Sequence, residues 1–351
     1  MRLEAEHILD KLEISDERRK EIAPRINYFV DLFHEENLQP LVDARARELT
    51  EVIKDTHERI PRLYSYLDDV FKNFMPAEGS GHSKIMFAIA AGVASRLEFS
   101  TAELKDVGYG AVLHDLGKLA LPGRLMEGIE QGIYFSMDLY ELMSLHVFTG
   151  YLIVDQATEN VPDLRGCAMK PLCHQEEIDG NGPLGLVRDE IFLVNKIIRV
   201  VDSYLAISNA RSYDPITPHD ETIEEVKRSA GYDESELDLE ILEWSSRSKL
   251  DQILKRYQHR FGEDDAESLY HNRLIDMIKR NTRNGVRIPE GIDYNELLKA
   301  EIIDLEDAYV KLRLTPENQF SRMVVDTFIE FLKTNSRSIE KMLESPIIYP
   351  S

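Results

Sequence analysis

The sequence predicts an all-helical protein. Apolar residues recur at three- and four-residue spacing in almost every segment, and runs of strict alternation, which would indicate strands, are rare. The 351 residues are 43% hydrophobic and contain no low-complexity tract or short repeat. A chain of this length and composition is expected to bury more than one core and to be neither a solenoid nor a disordered scaffold.

The helical pattern divides the chain into three expected domains. Residues 1–75 form an N-terminal helical region, in which a long amphipathic stretch from about residue 41 to residue 74 is broken at Pro61. A segment with one proline and two glycines, residues 75–81, then marks a boundary. Residues 76–245 form a central bundle, and residues 246–351 form a C-terminal helical extension. The first region is expected to serve in dimerisation or regulation, and the flanking helices could contact a second copy or a signalling partner.

The central bundle is expected to contain four longer helices. Apolar stripes run through residues 85–97, 104–114, 139–153 and 191–205. A glycine-rich loop separates the second stripe from the third, and a short helix is expected before His174. The dipeptide Gly182-Pro183 lies in a tight turn that would let the backbone approach a ligand.

Net charge limits the partners that this protein could bind. With 42 basic and 64 acidic residues, the formal charge is −22. Such a surface repels nucleic-acid polymers and anionic membranes, whereas a small phosphate ligand could still bind at metal ions. The first residues do not resemble a signal peptide, no apolar run is long enough to span a bilayer, and only two cysteines occur. These features favour a reduced, cytoplasmic setting.

A regularly spaced set of histidines and aspartates carries the chemical prediction. Steps of 32, 32, 28 and 28 residues, about one helix and one connection each, separate His82, His114, His146, His174 and Asp202. In an antiparallel bundle this spacing could bring the side chains into one layer. Asp202 is the hardest to explain otherwise, because a carboxylate among valines is costly to bury without a cation or hydrogen bonds.

Imidazole and carboxylate groups together suit divalent transition metals, with Fe or Mn expected first and Ni or Zn as alternatives. Four histidines and two aspartates exceed the needs of one tetrahedral site, so two ions sharing a carboxylate are expected, and adjacent His114 and Asp115 fit that arrangement. Two such ions would clamp the oxygens of a phosphoryl transfer, and hydroxide between them would attack phosphorus. Lys118, one helical turn beyond His114, could neutralise a phosphate oxygen.

The ordered motifs resemble the HD-GYP family over roughly residues 76–245. The similar segments are EGSGH at 78–82, LHDLGK at 113–118, His146, CHQEEIDGNGP at 173–183, VVDSY at 200–204 and RSY at 211–213. The resemblance implies a helical bundle of the HD type that hydrolyses cyclic di-GMP. It further implies that His82, His114, Asp115, His146, His174 and Asp202 bind metal, with Asp115 as the bridge between ions. By the same resemblance Glu78 could support a third ion, and the substrate would contact Lys118, Gly182, Pro183 and Arg211.

The chain departs from the family pattern in two places. Gln175 stands where a second histidine is usual, which argues against a third metal. Pro183 follows Gly182 directly, so the tyrosine of the family signature is missing, and with it a residue that shapes the substrate pocket. Two alternatives to a cyclic di-GMP phosphodiesterase therefore stay open. One is a catalytically weak or inactive signalling protein that binds metal or nucleotide, and the other is a hydrolase of another small phosphate ester.

Overall fold

The computed structural model describes residues 3–54, 62–63, 65–67, 69–70, 82–123, 125, 137–164, 166–208, 219–283, 302–314 and 317–344. Within these residues the fold is all-α, as predicted, and the one β feature is an isolated bridge between Asp179 and Val187. Within residues 3–54 the helices are α1 (Ala5–Leu9), α2 (Asp16–Glu35) and α3 (Gln39–Ile53). Pro61 lies outside the described residues.

The central helices occupy the positions that the apolar stripes predict. They are α4 (His82–Arg96), α5 (Thr101–Leu113), α6 (Met137–Thr158), the short α7 (Met169–Cys173) and α8 (Leu193–Ser208), and a 3-10 turn (Leu116–Ala120) follows α5. The start of α5 is fixed by a capping box, in which Ser100 and Glu103 each accept a hydrogen bond from the other's backbone N–H. This cap fixes the start of α5, and the helix ends at Leu113 with His114 as its C-cap residue.

The remaining helices are α9 (His219–Ser229), α10 (Leu239–Phe261), α11 (Glu263–Arg283), α12 (Ile302–Leu314) and α13 (Arg322–Glu344). The apolar face of α13 packs in this chain against α4, α8 and α9, through Val324, Val325 and Phe328 among others. The amphipathic pattern of this helix is thus explained by contacts within the chain.

Three apolar cores organise the described residues. The first joins α1, α2 and α3 to α6 and to residues 112–125 and 164–191. The second joins α4, α5, α8, α9 and α13, and the third joins α10, α11 and α12. The first core extends across residue 75 and the second across residue 245, so each flank shares apolar packing with the central bundle. The boundaries at these two residues stay a prediction.

Candidate metal centre

The predicted histidines and aspartates converge where the first two cores meet. Their ligand atoms form two groups, in each of which all the atoms lie within 4.8 Å of one another. One group is His82, His114, Asp115 and Asp202, and the other is Asp115, His146 and His174. Asp115 belongs to both groups. All six side chains are buried except that of His82, which is 20% exposed and marks the solvent-facing edge of the site.

The two carboxylate oxygens of Asp115 face different histidines. Its Oδ2 lies 3.2 Å from His114 Nε2, whereas its Oδ1 lies 3.5 Å from His146 Nε2 and 3.7 Å from His174 Nε2. Asp202 completes the first group, because its Oδ1 lies 3.7 Å from His114 Nε2 and 3.8 Å from His82 Nε2. One carboxylate can therefore serve both groups, one oxygen to each.

Local backbone geometry fixes the tautomer of the three buried histidines. In each ring Nδ1 lies within hydrogen-bond distance of the carbonyl three residues earlier: 2.9 Å for His114 with Ala111, 2.6 Å for His146 with Met143, and 2.7 Å for His174 with Pro171. A carbonyl only accepts, so Nδ1 carries the proton and the Nε2 lone pair faces the centre. Metal-binding histidines are usually held in this way.

Two further observations fit a metal at this centre. His114 Nε2 and Asp202 Oδ1 are buried and have no hydrogen-bond partner among the described residues. The Nε2 atoms of His146 and His174 lie 3.0 Å apart, and in the tautomer just described both present lone pairs. Buried acceptors that face one another are costly unless a cation lies between them. The donor set of imidazole and carboxylate suits a divalent transition metal.

Electrostatics of the cluster distinguish its histidines. Burial lowers the pKa of His146 to about 3, with the charge of His174 adding to the effect, and burial also lowers the pKa of His174. Burial alone would lower the pKa of His114 too, but the charges of Asp115 and Asp202 raise it to about 10. Without a metal ion Nε2 of this ring therefore carries a second proton, which a bound metal ion would displace. Burial alone would raise the pKa of Asp115, yet the cations Lys118 and His114 hold it well below its usual range. Burial alone would also raise the pKa of Asp202, but His114 holds it well below its usual range, so both aspartates are ionised at neutral pH.

Lys118 lies inside the same cluster. Its buried ammonium group is 2.8 Å from Asp115 Oδ2, on the 3-10 turn that follows α5. This turn packs directly against α6, where Thr149 Oγ1 donates to the carbonyl oxygen of Gly117 at 2.8 Å. The contact joins the segment that carries Asp115 and Lys118 to the helix that carries His146.

The turn at Gly182-Pro183 is attached to the centre by Glu176, two residues after His174. The buried carboxylate of Glu176 accepts hydrogen bonds from the backbone N–H groups of Leu184 and Leu186, at 2.7 and 2.8 Å. Gly182 packs so closely on Glu176 that a Cβ would lie 2.5 Å from its Cα. A side chain at position 182 would therefore displace the turn.

Arginines of α2 hold the same turn from outside. Arg25 Nη1 donates to the carbonyl oxygens of Gly180 and Gly182, at 2.7 and 3.0 Å. Arg18 donates to the carbonyl oxygen of Gly185 at 2.8 Å and forms an ion pair with Glu190. The roles of Glu176 and these arginines were not predicted, because a run of acids before a glycine turn resembles a solvated surface.

Two predicted site residues, Glu78 and Arg211, lie outside the described residues. Within the described part of the chain, no helix is long and apolar enough to cross a bilayer. The two cysteines, Cys167 and Cys173, are free and buried, and neither belongs to the two ligand groups.

Comparison with known proteins places the central bundle in a family. The HD domain family matches residues 70–235. The chain is 27% identical over 164 residues to a cyclic di-GMP phosphodiesterase of Thermotoga maritima, covering 46% of this chain and 43% of that protein. It is 29% identical over 178 residues to the cyclic di-GMP phosphodiesterase response regulator RpfG of Xanthomonas campestris, covering 50% and 44%. It is also 28% identical over 145 residues to a 3'3'-cGAMP-specific phosphodiesterase of Vibrio cholerae, covering 41% and 30%.

These matches cover less than half the length of each of these relatives. The family resemblance predicted from the ordered motifs is confirmed. Residues 70–235 of this chain therefore match the HD domain family, and the ordered motifs within them resemble the HD-GYP type.

Proposed function

We propose that this protein is a metal-dependent phosphodiesterase that hydrolyses a cyclic dinucleotide, with cyclic di-GMP as the substrate. The observation that carries the proposal is the convergence of three buried Nε2 lone pairs and two carboxylates on one centre. The names of three relatives support the substrate class, because two are called cyclic di-GMP phosphodiesterases and one a cGAMP phosphodiesterase.

Under this proposal two divalent ions, Fe or Mn before Ni or Zn, occupy the two ligand groups. One is held by His82, His114, Asp115 and Asp202, and the other by Asp115, His146 and His174. Bound divalent metals polarise phosphoryl oxygens and lower the pKa of water towards neutrality, which supplies a nucleophile near pH 7.

The side chains of the protein would do three things. The backbone carbonyls that hold Nδ1 of His114, His146 and His174 keep the imidazole rings in one orientation, so no reorganisation is needed when charge develops. Lys118 lies beside Asp115 and would place a positive charge next to a phosphate bound there. His82 stands at the exposed edge, which is the direction from which a dinucleotide could enter.

The experiment combines metal content with turnover. Protein purified without chelators is assayed for bound metal by mass spectrometry, and the same sample is then incubated with cyclic di-GMP. We expect two ions per chain and ring opening to the linear dinucleotide. Asp115→Asn should lose both the bound metal and the hydrolysis, because Asp115 belongs to both ligand groups and the change removes its charge. Asp155→Asn is the matched control, because Asp155 lies on α6, partly exposed and 3.8 Å from His7, outside both groups.

The outcomes separate the alternatives. Two ions without hydrolysis would reject the phosphodiesterase for cyclic di-GMP and favour a receptor or a hydrolase of another phosphate ester. Absence of metal after reconstitution with Mn²⁺ or Fe²⁺ would reject the metal centre itself.

A further inference from the structure

Gln175 follows His174 in the chain, and its side chain contacts two residues of α8, Asp202 and Arg199. Its side-chain Nε2 donates to Asp202 Oδ2 at 3.2 Å, and its Oε1 accepts from Arg199 Nη1 at 2.9 Å. A guanidinium group only donates, so the arginine determines which end of the amide faces Asp202. The amide N–H therefore points at the carboxylate, and the amide oxygen points away from it.

Arg199 is itself held in place by its surroundings. Its Nη2 donates to the buried carboxylate of Glu177 at 2.7 Å, and its guanidinium lies 5.6 Å from the ring centroid of Phe320, just before α13. Arg199 also lies three residues before Asp202, on the same face of α8. Arg199 and Asp202, which Gln175 links through its side-chain amide, therefore lie on the same helix.

The hydrogen bond from Gln175 distinguishes the two oxygens of Asp202. Oδ2 accepts the amide proton, whereas Oδ1 is buried, has no hydrogen-bond partner in the described part of the chain, and faces His82 and His114. Rotation of the carboxylate would break the bond to Gln175. The network therefore presents one defined oxygen to the first ligand group.

We infer that Gln175, oriented by Arg199, is a positioning residue that holds Asp202 with a single oxygen directed at the metal centre. The inference rests on the proposed metal centre. Outer hydrogen bonds of this kind typically change metal affinity by about 10- to 100-fold. The interaction explains why a glutamine can occupy this position without being a ligand.

The test uses the full chain, stripped of metal and titrated with Mn²⁺ in a calorimeter. In Gln175→Met, which keeps the length of the side chain and removes the amide, we expect the affinity for one of the two ions to fall about 10- to 100-fold. Gln252→Met is the matched control: Gln252 is also half-buried, donates to Ser248 on α10, and packs near the third core. Its affinity for Mn²⁺ should equal that of the wild type.

A second variant separates positioning from a general structural effect. Arg199→Lys keeps the positive charge near Glu177 but cannot donate to Glu177 and Gln175 in the same fork geometry. It should weaken Mn²⁺ binding alone, and it should cause no additional loss in the Gln175→Met background, since the two residues act through one hydrogen bond.

Additive losses, or wild-type affinity in Gln175→Met, would overturn the inference and leave the proposed function intact. Failure of the wild-type protein to bind Mn²⁺ would overturn the proposed function as well. Turnover of cyclic di-GMP is a separate measurement and does not decide between these outcomes.

Discussion

Gly117 offers the sharpest test of how the metal centre is built. It lies in the 3-10 turn between Asp115 and Lys118, directly against α6. A Cβ at this position would lie 1.9 Å from the carbonyl oxygen of His146, 2.5 Å from the backbone nitrogen of Gly150 and 2.6 Å from Thr149 Oγ1. Real Cβ atoms essentially never approach within 3.0 Å of such atoms, so Gly117→Ala must separate the turn from α6 by about 1 Å.

That displacement is large compared with what a metal site tolerates. Ligand distances in metal sites vary by about 0.2 Å, so moving Asp115 away from His146 by several times that amount should abolish binding in the group that they share. The two closest clashes are with backbone atoms, which cannot rotate away. We therefore expect a loss of about 3 kcal/mol in the free energy of unfolding, at the upper end of overpacking costs. This corresponds to a fall of roughly 5–10 °C in the unfolding midpoint.

The assay compares metal content and thermal unfolding with those of a matched variant. Gly123→Ala makes the same change three residues after the same turn, where a Cβ would meet nothing within 4 Å. We expect Gly123→Ala to match the wild type in both measurements. If Gly117→Ala also retains two metal ions and the wild-type midpoint, the close packing of the turn on α6 does not control the site, and our explanation of the glycine is wrong.

Four other predictions concern the rest of the molecule. Arg228→Met should cost about 3–5 kcal/mol of stability in urea unfolding, because it leaves Glu225 and Glu317 buried with fewer cationic partners. Burial alone would raise the pKa of Glu225, but Arg313 and Arg228 lower it below the unfolded value of 4.5. The ionised carboxylate therefore stabilises the fold above pH 4.5, and this contribution is lost as the pH falls through the pKa of the folded state. Stability measured from pH 7 to pH 3 should therefore fall less in Glu225→Gln than in the wild type. Burial raises the pKa of the Cys167 thiol to about 12, so the folded protein at pH 8 should react slowly with Ellman's reagent and fast once unfolded; rapid reaction of the folded protein would contradict this. Removal of metal with a chelator should lower the unfolding midpoint. Adding Mn²⁺ at about 100 times its Kd should raise the free energy of unfolding again by about 2.7 kcal/mol per site. An unchanged midpoint would argue against a metal bound to the folded state.

The sequence was sufficient to predict the helices of the bundle and the convergence of the candidate ligands. Ligand candidates spaced by about one helix and one connection return to the same layer in a bundle, so His82, His114, His146 and Asp202 could be identified from their spacing and apolar context. His174 fits the same spacing but lies outside any long apolar stripe, so its assignment also relied on the glycine turn that follows it and on the family motif.

The outer contacts could not be predicted, for a physical reason. Periodicity shows which face of a helix is apolar, but it does not show which helix covers that face. Arg25 and Gly180 are 155 residues apart, and nothing in the local sequence of α2 distinguishes this arginine from one in solvent. Gln175 presents the same difficulty, because its function depends on Arg199, a residue of another helix.

Two distant parts of the chain contact one short loop. Arg25 of α2 binds the carbonyl oxygens of Gly180 and Gly182, while the backbone N–H of Ile178 donates to the carbonyl oxygen of Gln319, just before α13. Thermodynamic linkage makes such an arrangement reciprocal. If the docking of α2 changes the affinity of the loop for a ligand by some factor, binding of that ligand must change the equilibrium constant for docking of α2 by the same factor. A hydrogen bond from a charged donor contributes about 1.5–3 kcal/mol, so loss of one such contact limits that factor to roughly 10- to 150-fold. A change in how either flank docks would therefore act directly on the loop that follows His174, within the part of the chain that carries the candidate ligands.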